Sequence, residues 1–319
     1  MHWLIVGNGT AHRKPTAVMS QRIHESTLTL LALVCATNPN VIERLWRELW
    51  ASCSSYETLP LGSKELLPIA ASHLQELGCS LGQLPFPADL SSSVLLGKCK
   101  ALWARNALVL SKAQRWSRLL HEAGVEAVAI KGVVSISRDR VLARGRQTLD
   151  VDLLIPPEQW DLAEHTLKRS GEFREYDAPL QWSEGRGWVH VHAQHWRGDG
   201  VDLDLHRHPQ PGFLADTRPF LLMQHPKREK NGIMVPQAGD HTAILLLHAF
   251  SQANAASGAC FRYISEALRS SPTLRSGDHA ALAHHLRRHD NGTRIQKQME
   301  DLGKTITSLS VAQRYGNRW

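Results

Sequence analysis

Asp150 and Asp152 stand two apart in a run, Asp150–Ile155, whose other members are all aliphatic. Such a run reads as a buried strand. Side chains two apart on a strand share a face, about 7 Å apart. Two carboxylates placed that way raise each other's pKa. In an apolar setting they cost several kcal/mol unless a cation neutralises them. The pattern points to a hard divalent ion. A second alternating run, Val201–His206, places Asp202 and Asp204 on one face and aliphatics on the other. Three acids from two strands can hold two Mg²⁺ roughly 3.5–4 Å apart, the spacing used for in-line displacement at phosphorus. Asp150 and Asp152 are the expected ligands, with Asp202 or Asp204, which share a strand face, as the third acid.

Phosphate chemistry needs more than a metal. Upstream, the apolar run Val125–Ile130 reads as a strand, followed by Lys131, Gly132 and about two helical turns. A strand, a glycine bend and a short helix offer backbone N–H groups to an anion. Lys131, Gly132 and Arg146 are therefore candidates to face phosphates. Two alternatives stay open: Lys131 as a surface residue at a strand end, and Arg146 as a neutraliser of Asp150 or Asp152. His206 is expected to orient a carboxylate. His190, His192, His195, His206 and His208 also lie close enough in sequence for a transition-metal site if their strands pair. His289–Asp290 and Gly7–Asn8–Gly9 lack the companion residues that would make motifs of them.

The elements that must position these groups fall into three stretches. Residues 1–123 read as mostly helical. A helix begins at Pro39 with Ile42, Leu45, Trp46 and Leu49 on one face. Another is capped by Ser63, and a long one starts at Asp89 or Ser91 and stops at Gly124. The tryptophans here are expected in the core. Residues 124–236 form an α/β core, with a loop between Arg138 and Arg146, a helix after Pro156–Pro157, and a hairpin turning at Gly198–Gly200. Residues 237–319 return to helix, with Asp240 as a cap and further helices near Tyr263, Ala280 and Thr293.

The segments Ala129–Ile130–Lys131–Gly132, then Arg146 through Ile155 (Arg-x-x-x-Asp-Val-Asp-Leu-Leu-Ile), then Asp204–Leu205–His206, resemble the bacterial uncharacterised nucleotidyltransferase family, within the DNA polymerase β-type superfamily. Ile244–His248 is similar to that family's downstream leucine and histidine helix. The resemblance covers about Lys100 to Leu268. It implies an α+β fold, a small mixed β-sheet core flanked by N-terminal and C-terminal helical regions. It implies Asp150 and Asp152 as metal ligands, Asp204 as the third acid, and triphosphate contact at the Gly132 turn. The wider superfamily carries Gly-Ser or Gly-Gly at that turn. Here the pair is Gly132–Val133, so backbone amides with Lys131 or Arg146 must replace the hydroxyl.

The expected activity is Mg²⁺-dependent transfer of a nucleoside monophosphate from an NTP to an acceptor. The acceptor is a peptide, a small molecule or RNA. The alternatives are a catalytically reduced binding protein and a phosphotransferase using the same metals. The chain of 319 residues has a formal net charge of +7 and a pI near 9.3, which favours an anionic partner. Five cysteines without metal-ligand spacing read as reduced thiols. No apolar run is long enough to span a bilayer. These features lead to an expectation of a cytoplasmic protein with no membrane partner.

Overall fold

Where the chain turns helical, short polar side chains set the start. The Asn38 carboxamide accepts from the Asn40 amide ahead of helix α2 (Pro39–Ser52), and the Ser91 hydroxyl accepts from the Val94 amide ahead of the 31-residue α4 (Ser92–Glu122). Helix α1 (Glu25–Cys35) precedes them, and α3 (Leu61–Glu76) lies between. Ser63 does not cap α3. It sits in its first turn, buried, with its hydroxyl bonded to Ser26 (3.1 Å) and Thr27 (2.8 Å) of α1. The helix starts two residues earlier, after Pro60, because Ser63 is used between helices instead. In this computed structural model the residues described are 24–177, 180–183, 187–190, 193–209, 226–229, 231–251 and 259–270. The expected helices near Ala280 and Thr293, His192, His289–Asp290 and Gly7–Gly9 lie outside them.

Gly124, at φ +83°, ends α4 as expected. The following apolar run forms only a two-residue strand, β1 (Val128–Ala129). Helix α5 (Gly132–Arg138) leads into α6 (Arg140–Gly145), where a loop was expected. The reason is Asp139, whose carboxylate accepts from the Val141 and Leu142 amides while Arg269 holds it from outside. Strand β2 (Asp150–Leu154) and helix α7 (Trp160–Ser170) follow, the latter ending at Gly171 with φ +67°. Then come β3 (Phe173–Tyr176), the separate hairpin β4 (Leu180–Ser183) and β5 (Gly187–His190), β6 (Ala193–Gly198) and β7 (Asp202–His206). The short β8 (Lys227–Arg228) and β9 (Met234–Val235) pair. Helices α8 (Ala238–Ser251) and α9 (Ala259–Ser270) close the described chain. Asp240 is not the cap of α8 but lies buried in its first turn.

The fold is α+β, with a mixed sheet in the order β1-β2-β7-β6-β3. β2 and β7 are parallel neighbours, and the other pairings are antiparallel. One hydrophobic cluster packs the sheet with α5, α7 and the second half of α4, around Trp116, Trp160 and Trp196. The other joins α1, α2 and α3 to α6, α8 and α9, so residues from both ends of the described chain share one core. Trp46, Trp50 and Trp116 are core residues as expected, whereas Trp103 is 57% exposed.

Candidate metal and nucleotide site

The parallel register places Asp150 opposite Asp202, Asp152 opposite Asp204, and Leu154 opposite His206. Four carboxylates thus share one face of two adjacent strands, which run about 4.8 Å apart. The strand starts are held from α4. Arg105 donates to the Leu149 carbonyl at 2.7 Å and to the Gly200 carbonyl, the residues just before each acidic run.

Ligand-capable atoms of Asp152, Asp204 and His206 all lie within 4.8 Å of one another. These three make the group best able to hold a metal among the described residues. Its donors, two carboxylates and one imidazole, suit a divalent ion. The His206 Nδ1–H donates to the His208 carbonyl at 3.2 Å, which turns Nε2 toward Asp152 Oδ1, 2.9 Å away. Asp150 lies on the same face but outside this group. Burial, then the charges of Asp152 and Asp204, push its carboxyl up to about 6. Asp152 behaves in the opposite way. Burial alone would raise it, but Lys131 and His206 hold it well below the usual carboxylate range.

Asp204 is supported from the next strand. His195 lies directly opposite it on β6, with Nδ1 2.6 Å from Asp204 Oδ1 and Nε2 3.7 Å from Asp202 Oδ2. Burial opposes the imidazolium, yet the Asp204 bond outweighs it and holds His195 above the ordinary histidine range. Asp202 otherwise accepts from the Gly198 amide at 3.1 Å, tying the hairpin turn. Of the two candidate third acids, Asp204 is the one beside Asp152.

Lys131 is not a surface residue. It is 6% exposed, and its Nζ lies 2.7 Å from Asp152 Oδ1 and 3.4 Å from His206 Nε2. Its backbone adopts φ +52°, ψ −124°. It is the one non-glycine with positive φ among the described residues, in a conformation that favours glycine. Such strain costs of order 1–3 kcal/mol and persists where the surroundings fix it. Here the His241 Nε2–H donates to the Lys131 carbonyl at 3.1 Å.

Arg146 does not face open space either. It is 2% exposed, with Nε on Glu266 Oε1 at 2.7 Å and Nη1 on Thr148 Oγ1 at 2.8 Å. The Ser135 hydroxyl donates to the other Glu266 oxygen. The guanidinium also lies against Gly132, where an added Cβ would meet Nη1 at 2.5 Å. Glycine at 132 therefore makes room for Arg146, whose guanidinium is paired with the Glu266 carboxylate.

Glu266, His241 and Ser135 complete the site and were not among the candidate site residues, and His195 was named only within a histidine cluster. Glu266 carried a signal: a lone acid on the buried face of an amphipathic helix needs a cation. His195 was readable only through the hairpin register. The side chain of His190 is not described, and among the described residues only His206 of these histidines joins a metal-capable group. His208 is buried, and burial brings it down to about 4.

A family model described as "Uncharacterised nucleotidyltransferase" matches residues 62–269. A search of curated proteins returned no match.

Proposed function

From the premise that this chain belongs to the uncharacterised nucleotidyltransferase family, we propose that it is a Mg²⁺-dependent enzyme that moves a nucleoside monophosphate from an NTP to a hydroxyl or phosphate of an acceptor. The observation that carries the reading is the register placing Asp152 beside Asp204 on parallel strands, with His206 within reach of both. Asp152, Asp204 and His206, with Asp150 on the same face, are the residues that would hold the ion. A bound divalent ion supplies Lewis-acid polarisation of phosphate oxygens and offsets charge on the leaving group.

The chain's own groups do the rest. In this reading Asp204 takes the proton of the acceptor hydroxyl, and His195 holds it in orientation. The acceptor oxygen bonds to the α-phosphorus, the bond from that phosphorus to the bridging oxygen breaks, and pyrophosphate leaves. Lys131 keeps Asp152 ionised at neutral pH. The acceptor is a peptide, a small metabolite or RNA. The +7 charge favours an anionic one.

Incubation with Mg²⁺ and α-³²P- or γ-³²P-labelled NTPs, with cell extract as the source of acceptor, tests this. Transfer of α label with release of pyrophosphate is expected. Asp152→Ala should abolish it while leaving the far-ultraviolet circular dichroism spectrum unchanged. Transfer of γ label alone would make the protein a phosphotransferase. No transfer from a folded protein would favour a binding role, a reading to which the Gly132–Val133 turn, without its hydroxyl, lends weight.

A further inference from the structure

We infer that the ε-ammonium of Lys131 is itself one of the two cations the carboxylate cluster requires, so that the site takes a single divalent ion. The inference rests on the metal-dependent reading above and specifies it. Paired catalytic metals sit close together and must share carboxylate ligands. Asp152 is the acid placed to be shared, yet its Oδ1 is already taken. Lys131 Nζ lies 2.7 Å from it. One oxygen of Asp152 remains for an ion held with Asp204. The two-ion arrangement expected from the sequence becomes one ion and one ammonium.

Two features make Lys131 a resident charge rather than a side chain passing through. Its side chain is 7% exposed and that of Asp152 is 6% exposed, so water does not compete for the pair. Its backbone is held in a conformation that favours glycine by a bond from His241 on α8. A lysine serving only as a mobile phosphate contact has no need of that constraint.

The test counts ions. Mn²⁺ bound per protein–nucleotide complex is measured from the loss of the free-ion paramagnetic resonance signal, using the full chain and a non-hydrolysable α,β-methylene NTP. Wild-type protein should bind one Mn²⁺ per complex. Lys131→Met, which keeps the stem and removes the charge, should bind two. Lys131→Arg, which keeps the charge, should bind one and guards against a misfolded methionine variant. Two ions in wild-type protein would overturn this inference and leave nucleotidyl transfer intact. No Mn²⁺ uptake at all would overturn both.

Discussion

At the scale of single residues, the site works by pairing each acid with a different partner. Asp152 faces Lys131 and His206, Asp204 faces His195, and Asp150 is left to the repulsion of its neighbours. Three of the four acids on this face thus become chemically distinct groups. His195 acts through Asp204. His195→Phe should weaken Mn²⁺ binding by about 10- to 100-fold, the usual cost of losing a group that orients a ligand. Its urea unfolding midpoint should move little, because the side chain is 36% exposed. A Mn²⁺ titration alongside a urea melt checks both halves of this expectation. The type of each acid was legible in the sequence. The partner of each was not, because partners come from strands and helices far along the chain.

At the scale of elements, the Lys131–Gly132 turn is held by the C-terminal helices. His241 of α8 bonds its carbonyl, and Glu266 of α9 holds the Arg146 guanidinium beneath it. Breaking one side of such a buried pair costs about 3–5 kcal/mol. Arg146→Met should therefore lower unfolding stability by that amount in a chemical melt. Arg146→Met with Glu266→Gln should recover part of it, because the buried charge is then gone. The close approach of α6 to α3 is a second constraint. A Cβ at Gly145 would lie 2.5 Å from both Ile69 Cα and the Pro68 carbonyl oxygen. Gly145→Ala should cost about 1–3 kcal/mol, seen as a lower thermal midpoint. The amphipathic patterns of α2 and α4 were legible in advance because a helix face is a local property. The helical turn at Arg140–Gly145 was not, because its N-terminal cap is steadied by Arg269, 130 residues away.

At the scale of the whole molecule, buried histidines couple stability to pH. Burial first, then Arg138, push His241 down to about 3, and burial first, then Arg207, bring His208 down to about 4. In the unfolded chain both protonate near 6.5. The unfolded state therefore binds more protons below that value, and stability falls as pH drops from 6.5 toward 4. Each such histidine contributes a slope of about 1.4 kcal/mol per pH unit. Asp150 works the other way, since its raised pKa favours the folded state as pH falls from about 6 to 3.8. Burial lowers His73 and His248 as well, so with four lowered histidines against the raised Asp150 and His195 urea midpoints should still decline across this window. His241→Gln, which cannot titrate, should flatten the decline.

The amino-acid sequence alone determined the acids, their alternation, and the order strand–Lys–Gly–helix, then Asp-Val-Asp, then Asp-Leu-His. Periods of two and 3.6 residues and short motifs are written in neighbouring positions, and the family followed from them. Tertiary structure alone decided that β2 and β7 run side by side in parallel, that His195 stands behind Asp204, and that Lys131 points into the carboxylates. It also decided that Arg146, which looked available to phosphate, is enclosed by Glu266. Strand register and helix docking are fixed by which apolar faces meet in the two cores, and that pairing is a property of the packed molecule rather than of any local stretch.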